Sequence, residues 1–131
     1  MKIPLLIGID AIHGNGLVSG STIYPSPISM ASTFAPVLIE KANRQTAIEM
    51  RATGSHWAFT PNIEIARDAH WGRVGETLGE DPYLVYRMGV AAIRGLQTDD
   101  VTGPDKVLAC AKHLVAGGVP ANGTNAGPVE L

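Results

Sequence analysis

Apolar and polar positions along the chain fall into two alternating regimes. Pro4 to Ile9 is a continuous apolar run closed by Asp10, the pattern of a parallel strand covered on both faces. A stretch rich in Gly, Ser and Pro, from His13 to Ser29, reads as loop. Ile39, Ala42, Thr46 and Met50 then recur at helical spacing behind Pro36, and Gly54 stands where that helix is expected to stop. Trp57-Ala58-Phe59 opens a second strand, closed by Thr60-Pro61-Asn62. A long polar loop runs to Asp81-Pro82, an N-cap followed by proline at the first helical position, and Leu84, Met88, Ala91 and Leu96 mark the face of a second helix. After a loop from Asp99 to Lys106, Val107 to Val115 reads as a third strand, apolar except for Lys112 and His113. Gly117 to Leu131 is rich in Gly, Asn and Pro and carries no predicted element.

Apolar strands separated by helices imply an α/β fold with parallel pairing and right-handed crossovers. All three strands end in polar residues: Asp10, Asn62 and the Lys112-His113 pair. In α/β folds the ligand side is the carboxyl end of the strands, so these groups are expected to converge there. Three strands neither close a barrel nor make a well-covered sheet, and the chain reads as an unfinished unit.

With 131 residues, 45% hydrophobic and 17% charged, the chain has the make-up of a folded domain. A net charge of -2 without a block of like charge gives no footprint for nucleic acid or an anionic membrane. No run approaches the roughly 18 apolar residues of a membrane span. The amino terminus, MKIPLLIGID, does not read as a signal peptide, because its apolar run is short and Asp10 falls where a cleavage region would follow. The single cysteine, Cys110, excludes an internal disulfide and a thiolate zinc site; in its apolar run it is expected to be a buried, inert thiol.

Candidate chemistry concentrates in Ala66 to Val85, ARDAHWGRVGETLGEDPYLV, where arginines, a histidine, a tryptophan and acidic residues share a glycine-hinged loop. Ordering such a loop costs conformational entropy that a bound polar ligand would offset. Asp10 ends an apolar strand, where an unpaired carboxylate is costly; it either faces a ligand or caps the next loop through backbone N–H groups. Lys112 interrupts an interior pattern, and lysine is among the residues least often buried. With His113 it reads as a site pair, or as a strand end that has reached solvent. Arg73 offers a planar fork for diols or carboxylates, or an ion pair with Glu76 or Glu80. A catalytic carboxylate pair is disfavoured in this loop, since Asp81 serves as a helix cap and Glu80 sits beside it at the positive helix end. His13, His56, His70 and His113 show no short ligand spacing, so no metal is expected. Gly14-Asn15-Gly16 and Gly20 have the wrong spacing for a dinucleotide loop, and the next helix starts too late to hold a phosphate. No cofactor is expected.

Four ordered segments carry a resemblance: Pro4-Leu5-Leu6-Ile7-Gly8-Ile9-Asp10-Ala11-Ile12-His13-Gly14, Phe59-Thr60-Pro61-Asn62, the loop through Gly79-Glu80-Asp81-Pro82, and Ala111-Lys112-His113-Leu114-Val115. The chain resembles part of the first domain of glycoside hydrolase family 3, whose members include β-glucosidases and β-xylosidases. The resemblance covers nearly the whole of residues 1–131 and implies a fragment of one (β/α)8 TIM-barrel domain, about three consecutive βα units with parallel strands. It also implies that Asp10, Arg73, Lys112 and His113 hold the sugar in the first subsite. That chemistry suits a pyranose, with the aspartate accepting from two hydroxyls and the three basic groups supplying donors. Asp10 favours a glucosidase over a xylosidase, since related xylosidases tend to carry glutamate there. The Leu-Val-Ala-Gly-Gly that follows His113 lacks the aspartate-histidine loop typical of the family's N-acetylglucosaminidases.

The family is retaining: an aspartate nucleophile attacks the anomeric carbon and a second acid protonates the leaving oxygen. The nucleophile belongs to a Ser-Asp-Trp-like strand end, and no such sequence occurs here. The resemblance therefore implies a substrate-binding wall with no catalytic residue in this chain. The rest of the barrel and a second domain are expected in the parent, and a β-glucoside or oligosaccharide as its partner. Three other readings stand beside this one: a non-catalytic truncated carbohydrate-binding fragment, a β-xylosidase-type relative, and a nucleotide-binding domain resting only on the glycines near Gly14. The compartment is not legible, although relatives are often periplasmic or secreted.

Overall fold

The computed structural model describes residues 3–129 except 115 and 126. Its elements are β1 (Gly8–Ile9), α1 (Pro27–Ala31), α2 (Pro36–Ala52), β2 (Trp57–Ala58) and α3 (Pro82–Gln97), with 3-10 turns at Val74–Glu76 and Ala121–Gly123. β1 and β2 are parallel, Gly8 opposite Trp57 and Ile9 opposite Ala58. The amides of Trp57 and Phe59 donate to the carbonyls of Ile7 and Ile9 at 3.1 and 2.9 Å, while the amide of Ala58 donates the other way, to Leu108 at 2.8 Å. The third apolar segment thus lies parallel to β2 on its far side, bridged at Trp57–Leu108 and Asn62–Lys112. The expected α/β order with parallel strands is what the chain forms.

The helices arise where their periodicity placed them. α2 buries Ile39, Ala42, Asn43, Thr46, Ala47 and Met50, an i, i+3, i+4 stripe. Buried Asn43 and Thr46 donate to the Ile39 and Ala42 carbonyls at 2.9 Å, so neither is left unsatisfied. Gly54, at φ +89°, lets the chain leave the helix. Asp81 caps α3, its carboxylate accepting from the Leu84 amide at 2.7 Å. α2 and α3 pack against each other and lean on the strands through two apolar clusters. One gathers Ala31, Ile39, Leu78, Val85, Met88, Ala91 and Ala92; the other gathers Ala11, Ala47, Met50, Ala58, Leu96 and Val107.

The strands differ from the sequence expectation. The first is two residues long rather than Pro4 to Ile9, and it is not covered on both faces: Leu5 is 80% and Ile7 47% exposed, because no described element packs over them. The third segment makes bridges rather than a continuous strand, and Val115, its expected end, lies outside the described residues. Side chains alternate along it. Val107 is buried against the helices, whereas Leu108 is 40% exposed on the open face. Cys110 shares that open face by the same alternation and is half-buried rather than buried. Two short elements sit where none was expected. Ser26-Pro27, a cap-and-proline start, opens the five-residue α1, and Ala121–Gly123 forms a turn in the carboxyl-terminal tail.

Candidate functional site

The polar residues that end the strands do converge. Alternation puts Gly8 and Asp10 on the face shared with Trp57 and Phe59, where a β-carbon at Gly8 would meet both aromatic rings. Lys112 lies on the same open face two strands away. It is held in register with Asn62 by its amide donating to Pro61 O at 3.1 Å and by the Ile63 amide donating to Lys112 O at 2.8 Å. Across the gap, Lys112 Nζ donates to Asp10 Oδ1 at 2.7 Å. Lys112 is the more enclosed of the pair; Asp10 faces solvent, with a side chain 60% exposed. The peptide between Lys112 and His113 is cis.

Arg73 enters from the long loop. It sits at the start of the 3-10 turn Val74–Glu76, which brings residues three apart together, so its Nε and Nη2 donate to Glu76 Oε1 and Oε2 at 2.9 and 2.7 Å. Arg73 thus forms the expected ion pair with Glu76 while standing among the strand-end groups. Hydrogen bonds from Arg73 hold the Glu76 carboxyl below the usual carboxylate range, with the charges of Arg73 and Lys112 acting the same way against partial burial. The Glu76 hydrogen bonds likewise raise the Arg73 guanidinium further, so it is a permanent cation.

Arg73 Nη2 also lies 3.4 Å from His113 Nε2, and His113 Nδ1 lies 3.1 Å from Glu64 Oε2. Asp10, Arg73, Lys112 and His113 are thus brought into one neighbourhood, with Glu76 and Glu64 behind them. Glu64 escaped the sequence reading. Its side chain is 4% exposed, and the one available signal was a carboxylate set inside the apolar stretch Ile63-Glu64-Ile65-Ala66, as Lys112 is set inside its strand. A cavity of about 660 Å3, lined by Glu64, Arg67, His113, Leu114, Val119 and Pro120 among others, opens beside these residues.

Hydrogen-bonding capacity remains at the open side. Arg73 uses Nε and Nη2, and no described residue accepts from Nη1. Lys112 uses one of three donors, and Asp10 Oδ2 has no described donor. Donors flanking an acceptor on an exposed wall match adjacent hydroxyls. The other histidines stay apart: His13 Nδ1 pairs with the Tyr24 carbonyl and His70 with Asp68. Among the described residues no three His, Cys, Asp or Glu side chains gather as metal ligands. No described helix is long and apolar enough to cross a membrane. The glycine loop near Gly14 folds back on Ile23, and the next helix starts only at Pro27, which removes the phosphate-loop geometry a nucleotide would need.

Parallel strand segments with a polar wall at their carboxyl ends place the candidate site where α/β folds bind ligands. The chain belongs to glycosyl hydrolase family 3: the model for that family's N terminal domain matches residues 1–130. A β-xylosidase of Formosa agariphila is 46% identical over 136 residues, covering 97% of this chain and 18% of that protein. The periplasmic β-glucosidase of Salmonella typhimurium is 29% identical over all of this chain and 16% of its own length. Among solved structures, a β-glucosidase involved in saponin metabolism from intestinal bacteria superposes with a TM-score of 0.93 at 42% identity, over 95% of this chain and 17% of that one. A β-glucosidase from Listeria innocua in complex with laminaribiose gives 0.91 at 32% identity, over 98% of this chain and 18% of that one. The chain therefore spans about a sixth of the length of the relatives it matches.

Proposed function

We propose that this chain is the sugar-binding wall of a glycoside hydrolase of the β-glucosidase type, an exo-acting enzyme that hydrolyses β-glucosides with retention. The observation that carries the reading is the meeting of Asp10, Arg73, Lys112 and His113 at the carboxyl ends of the strand segments, with unused donors and an acceptor facing outward. Membership in the family and the names of its relatives support it. In this reading residues 1–131 form part of one (β/α)8 barrel domain. Asp10 binds hydroxyls as an acceptor, Lys112 and Arg73 donate to others, and the ion pairs hold all three in place before the sugar arrives. The nucleophile and the acid/base come from elsewhere in the parent protein.

A β-xylosidase is the second reading, favoured by the 46% identity to the Formosa agariphila protein. Glucose and xylose differ by the hydroxymethyl group at C5, so kcat/KM for 4-nitrophenyl β-D-glucoside against the β-D-xyloside separates the two in the parent enzyme. The expected result is faster glucoside hydrolysis, with Lys112→Ala lowering kcat/KM by about 10- to 100-fold for loss of a charged hydrogen-bond donor. The 131-residue chain alone is expected to hydrolyse neither substrate. Hydrolysis by that chain would overturn the wall-only assignment, and preference for the xyloside would favour the second reading.

A further inference from the structure

We infer that Glu64 is a positioning residue, which fixes the tautomer of His113 so that His113 presents an acceptor, not a donor, on Nε2. Two contacts on opposite sides of the ring demand the same proton placement. Glu64 Oε2 lies 3.1 Å from Nδ1, and a carboxylate can only accept, so Nδ1 carries the hydrogen. Arg73 Nη2 lies 3.4 Å from Nε2, and a guanidinium can only donate, so Nε2 offers its lone pair. The opposite tautomer would set a lone pair against the carboxylate and two N–H groups against each other; the imidazolium would keep that second clash. Burial strengthens the contact, since the Glu64 side chain is 4% exposed and a hydrogen bond at low local dielectric is stronger than one in water. The backbone confines it further: a β-carbon on Gly117 would collide with the Glu64 carboxylate, and one on Gly118 would lie 3.1 Å from Glu64 Cβ.

The assignment revises the chemistry of the wall. Three basic residues were expected to supply donors, but His113 Nε2 takes a hydrogen from Arg73. In doing so it adds a third anchor to the guanidinium beside the two from Glu76, and it leaves Nη1 as the pair of donors facing a ligand. This part of the inference rests on the carbohydrate reading; the tautomer does not.

The test is the ring 15N chemical shifts of histidine-labelled parent protein, recorded by solid-state NMR at neutral pH without sugar. The His113 signals are identified by their loss in His113→Gln. The expected wild-type spectrum shows His113 protonated on Nδ1 alone. Glu64→Gln, whose side-chain amide can either accept from or donate to the ring, is expected to bring the Nε2–H form into the spectrum. A wild-type ring protonated on Nε2 overturns the inference, and so does a folded Glu64→Gln protein with an unchanged spectrum. The wild-type result stands by itself if that variant does not fold. Because no sugar is present, failure here is distinct from failure of the proposed activity.

Discussion

Substituting Gly95 by alanine sets two effects against each other at the contact between α2 and α3. A glycine inside a helix is less favourable than alanine by about 1 kcal/mol, so propensity alone favours the variant. The space around Gly95 opposes it. A β-carbon there would run into the carbonyl oxygen of Glu40 and stand 2.8 Å from Asn43 Cβ and 3.0 Å from the Arg44 amide nitrogen. Carbon atoms rest at about 3.5–4.0 Å, so the helices would have to part by about 1 Å. The obstacles are backbone atoms and a Cβ, which no change of rotamer moves. Arg44, whose Nη1 donates to Gly95 O at 3.2 Å, ties the two helices at the same place. Overpacking costs about 1–3 kcal/mol, and obstacles that no rotamer change relieves put this site in the upper part of that range, about 2–3 kcal/mol. Against the propensity gain, the net expectation is a destabilisation of about 1–2 kcal/mol, a fall of several degrees in melting temperature read by far-UV circular dichroism. Gly72→Ala is the control, because nothing lies within 4 Å of the added carbon. Gly95→Ala melting at or above the wild type would refute the close helix contact and the reasoning built on it.

Two further outcomes are expected. Asp81→Ala removes the acceptor for the Leu84 amide and should destabilise the protein by about 1 kcal/mol in urea unfolding, whereas Asp81→Asn should lose less. Glu76 has its folded-state carboxyl held below the usual range by Arg73, so its contribution to stability is present above the unfolded carboxylate pKa and is lost as pH falls through the lower folded value. Glu76→Gln should therefore flatten the acid side of the melting temperature against pH and leave its slope at neutral and alkaline pH unchanged; an unaltered acid limb would remove the ion pair from the account.

The helices were legible because their signals are local. The stripe from Ile39 to Met50 and the Asp81-Pro82 start depend only on spacing and capping, and both appear where they were read. Strand extent was not legible, because a strand exists only where a partner pairs with it. Pro4 to Ile7 has the composition of a covered strand, but no described neighbour supplies the cover. The site was readable in part for a related reason. Asp10 and Lys112 stood out as charges closing or breaking apolar runs, and Arg73 stood out by its loop. Glu64 follows the same rule but lies next to a denser polar segment. Its role depends on contact with His113, 49 residues away, which no local pattern encodes. The resemblance added the sugar to these residues; composition and spacing alone gave a polar wall without a ligand.

The most direct measurement is a crystal structure of the protein carrying this chain with glucose bound. The account expects sugar hydroxyls within hydrogen-bonding distance of Asp10 Oδ2, Lys112 Nζ and Arg73 Nη1, the groups whose capacity is unused at the open face. Glucose seated elsewhere, with the Asp10–Lys112 and Arg73–Glu76 pairs closed on themselves and touching no hydroxyl, would contradict it.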